Sequence, residues 1–237
     1  MKPQPVRTKS SLKPFYAGIV FLALYVLTAL LVRIGLTQGF DNQVAIAVNV
    51  SLGPVISKIM YLASIYGREG VWIPVVILML GLGKPNTKMF AIELALLFIV
   101  GIIAGTLAKD IWFRSRPFIQ LTSIILRVPK ETDSSFPSGH AVIVSLGASL
   151  LLWKYRKSSR KARVASFLLA LEAAIVCYSR IYNGVHFPTD VIAGIFLGSA
   201  VTFIGGFLLE RYLLSYLKKL GTIAERVTKI LQLPQFL

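Results

Sequence analysis

Residues 15–36 read FYAGIVFLALYVLTALLVRIGL, a run in which Arg33 is the only charged side chain. An α-helix rises about 1.5 Å per residue, so this run is long enough to cross a hydrocarbon core of about 30 Å. The rest of the chain has the same character, because 55% of its 237 residues are hydrophobic and its mean hydropathy is +0.71. The sequence therefore predicts an all-α membrane protein.

Five further apolar runs predict a polytopic bundle of about six transmembrane helices. They cover residues 71–83, 89–108, 141–153, 164–178 and 191–209. Three of them are shorter than the roughly 20 residues of a full span, so each must borrow neighbouring residues. We expect the second span to start near Leu62, and residues 37–64 to include a helix that rests on the outer membrane surface.

The basic residues predict the orientation of the bundle. A formal net charge of +16 suggests nucleic acid in a soluble protein, but cytoplasmic loops of membrane proteins also concentrate Lys and Arg. Most of the 26 basic residues lie before the first run, between the second and third, between the fourth and fifth, and after the sixth. We therefore predict that both termini are cytoplasmic and that no nucleic acid binds.

No linker or repeat divides the chain, so we expect one membrane domain over residues 1–237. Its motif-bearing core covers residues 89–209, and residues 210–237 are predicted to form an amphipathic cytoplasmic tail. Two pairs of glycines have the small-xxx-small spacing that lets helices pack closely within a bundle. They are Gly101 with Gly105, and Gly194 with Gly198. Glu93 and Glu172 lie within predicted spans and are expected to face the bundle interior.

Three polar clusters interrupt this apolar sequence, and the predicted topology puts all of them on the outer face. They are Lys109–Pro117, Pro137–His140 and Ser179–Asp190, and they contain the only two histidines, His140 and His186. Polar and charged groups are expensive to keep at the ends of membrane helices, which indicates a functional site.

The cations of these clusters indicate an anionic substrate. Lys109, Arg116 and Arg180 have no matching set of carboxylates within the clusters, so we expect their partner to come from outside the protein. Arginine suits a phosphoryl group best, because its planar fork donates paired hydrogen bonds to two oxygens.

The second cluster predicts an anion site at a helix start. Gly139 lies where the chain turns into the fourth span, so the backbone N–H groups of Ser138, Gly139 and His140 are expected to point at the anion. An ordinary helix start explains Pro-Ser-Gly alone equally well.

Asp190 follows His186 by four positions and has two possible roles. It caps the sixth helix, or it accepts a hydrogen bond from one nitrogen of His186 and leaves the other nitrogen for substrate. The two roles are compatible. Two His and one Asp also suggest a metal site, but nearby cations repel a divalent ion, so we expect no metal and no cofactor.

Together the clusters match one signature at every specified position: Lys, six residues, Arg-Pro; then Pro-Ser-Gly-His; then Ser-Arg, five residues, His, three residues, Asp. On these motifs the chain resembles the type 2 phosphatidic acid phosphatase superfamily. That superfamily includes integral-membrane lipid phosphatases and diphosphatases, class A acid phosphatases and vanadium haloperoxidases.

The resemblance implies a metal-independent phosphatase and a role for each motif residue. His186 attacks phosphorus and forms a phosphohistidine, Asp190 orients it, and His140 protonates the departing oxygen. The remaining motif residues hold the phosphoryl oxygens: Lys109, Arg116, Ser138, Gly139 and Arg180.

A site at the outer ends of membrane helices favours a lipid substrate, most of all a polyprenyl (undecaprenyl or dolichyl) diphosphate. Phosphatidate, diacylglycerol diphosphate and phosphatidylglycerophosphate remain alternatives, as do a lipid phosphotransferase and a non-catalytic lipid-phosphate binder or transporter. Arg114, Arg127 and Lys130 are extra cations for a second phosphate. The short segment 118–136 between the first two motifs leaves no room for a large lid, and the oligomeric state stays open.

Overall fold

A computed structural model describes residues 12–214, and all regular secondary structure in that range is helical. The helices are α1 (Lys13–Arg33), α2 (Gln38–Val48), α3 (Pro54–Tyr66), α4 (Glu69–Leu82), α5 (Pro85–Ile111), α6 (Pro117–Gln120), α7 (Gly139–Tyr155), α8 (Arg160–Tyr182) and α9 (Pro188–Ala200). Helix α9 continues to Leu214 through two π-helical segments and one short α-helical turn. The predicted all-α class is confirmed, while most of the predicted amphipathic tail lies outside the described residues.

Four helices are long and apolar enough to cross a membrane: α1, α5, α8 and α9 with its continuation to Tyr212. Helices α3 and α4 qualify only as a pair, which is bent by 56° at their junction. Helix α7 has 17 residues, fewer than the roughly 20 that a full span needs. A membrane bundle is thus confirmed, but the count of about six spans is not.

The expected surface helix within residues 37–64 proves to be two helices. Gly53 has a φ of +87°, which favours glycine, and Pro54 then starts α3 at a position where its missing N–H costs nothing. The chain therefore turns between α2 and α3, and no helix begins near Leu62, which lies within α3.

Helix α7 is the centre of the bundle and packs against α5, α8 and α9. Its residues between Ala141 and Leu151 are almost all buried. Three glycines of its neighbours leave no room for a side chain: an added Cβ would lie 2.8 Å from Leu146 at Gly101, 2.7 Å from Ala141 at Gly194, and 2.2 Å from the carbonyl oxygen of Val142 at Gly198. Close packing is thus confirmed for Gly194 with Gly198 and for Gly101, whereas Gly105 has its nearest neighbour at 3.9 Å and leaves room for a methyl group.

Buried polar contacts tie α2 to the end of the bundle where the motifs lie. Asp41 is fully buried, and its Oδ1 accepts a hydrogen bond from the Thr189 N–H at 3.0 Å. Asn49, just after α2, accepts from the Ile125 N–H at 2.7 Å and donates to the Tyr182 carbonyl at 2.8 Å. Helix α2 therefore braces the ends of α8 and α9 and the segment before α7.

Glu93 lies near the other end of α5 and is also buried. Its Oε1 lies 3.1 Å from Nζ of Lys154, which also pairs with Glu210. The prediction that Glu93 faces the interior is confirmed. Glu172 on α8 is half-buried as a residue, but both of its carboxylate oxygens are buried, so the prediction holds for it as well.

Candidate active site

The structure brings the eight predicted site residues together at one end of the bundle, although they come from six places along the chain. Lys109 is in the last turn of α5 and Arg116 precedes α6. Ser138, Gly139 and His140 start α7, while Arg180 is in the last turn of α8. His186 lies in the turn between α8 and α9, and Asp190 lies in the first turn of α9.

His186 is buried, and its two ring nitrogens have different partners. Nδ1 lies 2.8 Å from the carbonyl oxygen of Ser135, which can only accept, so Nδ1 holds the proton. Nε2 then presents a lone pair, 3.4 Å from Nη1 of Arg116. Burial, followed by the charges of Arg180 and Arg116, lowers the pKa of His186 well below its usual range. The ring is therefore neutral and carries its lone pair on Nε2.

Asp190 does not bind His186 directly. Its Oδ2 lies 3.7 Å from Nδ1 of His186, too far for a hydrogen bond, and instead accepts from the Ser135 hydroxyl at 2.5 Å. The prediction of a direct hydrogen bond is wrong, because the Ser135 carbonyl occupies Nδ1. The predicted cap is present, since the same Oδ2 accepts from the Phe187 N–H at 2.8 Å.

Arg114 is also placed differently from the prediction. Its Nη1 lies 2.7 Å from Asp190 Oδ1 and its Nη2 lies 2.8 Å from Asp41 Oδ2. Its guanidinium stacks on the Phe187 ring at 4.2 Å. Arg114 is thus a buried counter-ion of two carboxylates, which rules out its predicted role at a second phosphate.

Arg127 is likewise engaged in holding the fold. It donates to the carbonyl of Tyr182 at 3.1 Å and to that of Asn49 at 2.9 Å, and its guanidinium lies over the Tyr182 ring. The prediction that it contacts a second phosphate is therefore wrong. Lys130 is exposed, and its predicted role stays a prediction.

The three motif cations are paired with carboxylates of this chain. Arg116 Nη2 lies 2.6 Å from Asp133 Oδ1 and 2.7 Å from Glu131 Oε2. Lys109 Nζ lies 2.5 Å from Asp133 Oδ2, and Arg180 pairs with Glu131. The expectation that these cations lack carboxylate partners is wrong, because the segment between the first two motifs folds back over them.

Both carboxylates are held in the ionised state. Burial opposes ionisation of Asp133, but its hydrogen bonds and charge contacts with Lys109 and Arg116 lower its pKa to about 2. Burial also opposes ionisation of Glu131, and the charges of Arg180 and Arg116 lower its pKa. The segment is too short for a large lid, as predicted, yet two of its side chains occupy the expected position of the phosphoryl oxygens.

Several donors of the site remain open. Ser138 Oγ and Arg180 Nε are buried without a hydrogen-bond partner among the described residues. The N–H groups of Gly139 and His140 open α7, where the helix itself offers no acceptor. The N–H of Ser138 donates to the Asp190 carbonyl at 2.9 Å, so the predicted trio of amides is reduced to two. Buried donors of this kind call for an acceptor, and an oxyanion would supply one.

His140 lies beside these donors and is partly exposed. Its ring makes no hydrogen bond within the described part of the chain. Burial, then the charge of Arg180, then that of Arg68 lowers the pKa of His140 well below its usual range. A bound anion would oppose these cationic contributions and favour the protonated ring.

Sequence reasoning missed Ser135, Asp41, Glu131 and Asp133. Ser135 stands just before the second motif, and nothing in its type marks it. Asp41 stands among other polar residues of α2, so its type alone does not mark it as buried. Glu131 and Asp133 lie between the first and second clusters, so the comparison of cations with carboxylates within the clusters did not include them.

Comparisons with known proteins identify the family. The model of the PAP2 superfamily matches residues 90–209. An undecaprenyl-diphosphatase of Sulfolobus acidocaldarius is 37% identical over 195 residues, which cover 81% of this chain and 91% of that protein.

Two crystal structures share the fold. The transmembrane PAP2 type phosphatidylglycerolphosphate phosphatase from Bacillus subtilis superimposes with a TM-score of 0.70 at 21% identity, covering 83% of this chain and 98% of that one. LpxE of Aquifex aeolicus gives a TM-score of 0.59 at 24% identity, with 70% and 93% covered. As its three motifs predict, the chain belongs to the PAP2 superfamily and is a membrane lipid phosphatase.

Proposed function

We propose that the protein hydrolyses a polyprenyl diphosphate to the monophosphate, without a metal ion, at the extracytoplasmic face. The observation that carries this proposal is the neutral His186, whose unprotonated Nε2 faces Arg116. The undecaprenyl-diphosphatase from Sulfolobus supports the choice of lipid. The distribution of basic residues supports the outward orientation, and the polar cluster at one end of a single bundle domain supports access from a lipid headgroup.

Substrate binding exchanges one set of anions for another. The terminal phosphate takes the place of the Glu131 and Asp133 carboxylates on the three cations. The donors that hold its oxygens are Lys109, Arg116, Arg180, the Ser138 hydroxyl and the Gly139 N–H. Because these donors are already in place, they spread the charge of the transition state at little reorganisation cost.

The first chemical step forms a phosphohistidine. Nε2 of His186 attacks the terminal phosphorus, and the bond from phosphorus to the bridging oxygen breaks. His140 gives its proton to that oxygen, and the lipid monophosphate leaves. The Ser135 carbonyl holds the Nδ1 proton, while Asp190 holds Ser135 and the start of α9.

The second step releases phosphate. His140, now neutral, takes a proton from water as the water oxygen attacks phosphorus, and the nitrogen–phosphorus bond breaks. Inorganic phosphate leaves, and both histidines return to their starting states. Within residues 12–214, no group of three His, Cys, Asp or Glu side chains is suited to hold a metal ion. Metal independence stays part of the proposal.

The catalytic assignment is tested by His186→Ala and His140→Ala in detergent, with undecaprenyl diphosphate as substrate and phosphate release as the measurement. We expect His186→Ala to abolish turnover and His140→Ala to lower kcat by about 10²- to 10⁴-fold, the usual contribution of a general acid. A phosphohistidine trapped from wild type should be labile in acid and stable in base, whereas phosphoserine is stable in acid and labile in base and a carboxyl phosphate is labile in base. Lys58→Gln, an exposed change on α3, is the control and should retain wild-type turnover.

Full turnover by either histidine variant contradicts the assignment, and loss of activity in EDTA contradicts metal independence. Parallel assays with phosphatidate, diacylglycerol diphosphate and phosphatidylglycerophosphate measure the lipid preference. Release of free phosphate without an acceptor lipid separates a hydrolase from a phosphotransferase.

A further inference from the structure

Arg68 is a basic residue of the site end that lies outside all three motifs. It occupies the junction where α3 ends and α4 begins, at the 56° bend between them. Its Nη1 lies 3.9 Å from the position that a Cβ would take at Gly139. The bend therefore puts a guanidinium against the first turn of α7, next to His140.

The guanidinium of Arg68 is available to a ligand. Its hydrogen bond and ion pair within the described chain both go to the adjacent Glu69, and the two side chains are 34% and 49% exposed. An exposed ion pair of this kind contributes little to stability, so an incoming anion can replace it. Arg114 and Arg127, by contrast, are committed to buried partners.

Arg68 also lies at the polar end of an apolar cavity. The cavity has a volume of about 420 Å³, lies between α4 and α5, and is lined by Trp72, Ile77, Phe98 and Ile102 among others. Ile77 and Ile102 are exposed on the outer surface of the bundle, so the cavity is open towards the bilayer. A lipid whose chain lies along α4 and α5 therefore brings its headgroup to Arg68 from the membrane.

We propose that Arg68 binds the lipid-proximal phosphate of a diphosphate substrate and so determines the preference for diphosphates over monophosphates. This inference rests on the proposed function. When the terminal phosphate is bound by the motif cations, His140 faces the bridging oxygen, and the proximal phosphate is attached to that same oxygen. The guanidinium of Arg68, which lies against the first turn of α7, then donates to the proximal phosphate and stabilises the charge that the leaving group gains. A monophosphate has no group at this position.

The test compares Arg68→Gln with wild type on farnesyl diphosphate and farnesyl monophosphate, with phosphate release in detergent as the measurement. Loss of one charge-assisted hydrogen bond predicts a fall of about tenfold or more in kcat/KM for the diphosphate. The value for the monophosphate should stay within about twofold, because the contact is absent there. Retained monophosphate turnover also shows that the variant is folded.

Two further variants sharpen the comparison. Arg68→Lys keeps the positive charge without the planar fork, so it should recover part of the diphosphate activity. Lys58→Gln removes a charge from α3 away from the bend and should change neither substrate. Inhibition constants of a non-hydrolysable farnesyl bisphosphonate and of farnesyl phosphonate give the same comparison without turnover, and only the bisphosphonate should lose affinity in Arg68→Gln.

Equal losses for both substrates, or no loss for the diphosphate, overturn the role of Arg68. A diphosphate-selective loss in Lys130→Gln but not in Arg68→Gln also overturns it. If wild type releases phosphate from monophosphates and from no diphosphate, the proposed function itself fails. An active wild type with an unchanged substrate ratio in Arg68→Gln refutes the Arg68 inference alone.

Discussion

At the scale of single residues, the site depends on a relay of contacts behind the nucleophile. Asp190 reaches His186 through Ser135, and Arg114 holds Asp190 from the other side. Breaking a buried ion pair by removing one partner leaves an unpaired charge and costs about 3–5 kcal/mol, whereas loss of one neutral hydrogen bond costs about 1 kcal/mol. The outer members of the relay should therefore affect stability more than the serine does.

Asp190→Asn should lower the free energy of unfolding in detergent by about 3 kcal/mol, because Arg114 loses one of its two carboxylates. Ser135→Ala should cost about 1 kcal/mol and lower kcat by less than about tenfold, because the backbone carbonyl still holds Nδ1 of His186. Tryptophan fluorescence during denaturant unfolding measures the loss of stability, and phosphate release measures the change in kcat. A Ser135→Ala variant as inactive as His186→Ala would show that the carbonyl is not sufficient.

Glu131 competes with substrate for Arg116 and Arg180, so Glu131→Gln should lower KM and the inhibition constant of inorganic phosphate. Because one charged competitor is removed, both constants should fall by about three- to tenfold. Because the pKa of Glu131 is lowered, it remains ionised at pH 5, and the effect should be as large there as at pH 7. Glu210→Gln, at the other end of the bundle, is the control; an unchanged KM in Glu131→Gln contradicts the competition.

At the scale of elements, the lengths of the apolar runs predicted most of the helices, and the pair Gly194 and Gly198 predicted the close packing of α9 on α7. The prediction failed for residues 37–64, where one surface helix was expected. Residues 37–64 form two helices because Gly53 and Pro54 break them, and α2 is held by the buried Asp41. A hydropathy pattern records that α2 is intermediate in polarity, but it does not show which face finds a partner.

Gly198→Ala should destabilise the bundle by about 1–3 kcal/mol, the usual cost of overpacking, because the new Cβ would meet the Val142 carbonyl at 2.2 Å. Gly105→Ala, with its nearest neighbour at 3.9 Å, is the matched control and should be neutral or slightly stabilising. Thermal unfolding in detergent distinguishes them. Equal midpoints for the two variants would contradict the close contact between α7 and α9.

At the scale of the whole molecule, the basic residues and the polar site should lie on opposite sides of the membrane. The motifs meet at one end of the bundle, whereas the α7–α8 turn with its basic residues lies at the other. This separation predicts an outward-facing site, because positive residues are retained in the cytoplasm.

Cysteine labelling measures this orientation in a Cys177→Ser background. On intact cells, an impermeant maleimide should label Thr132→Cys near the site and should leave Lys157→Cys, in the α7–α8 turn, unlabelled. Both positions are exposed, so permeabilised cells should show labelling of both. The reverse pattern would mean that the site faces the cytoplasm.

The sequence by itself determined the helical membrane class, the family and the set of motif residues that meet at the site. These follow from local properties: hydrophobic length, residue type and motif spacing. The tertiary structure decided their partners, because packing brings together groups far apart in the chain, such as Arg114 and Asp41, separated by 73 positions. The Ser135 bridge to His186, the carboxylates over the cations and the place of Arg68 beside His140 all arise in this way.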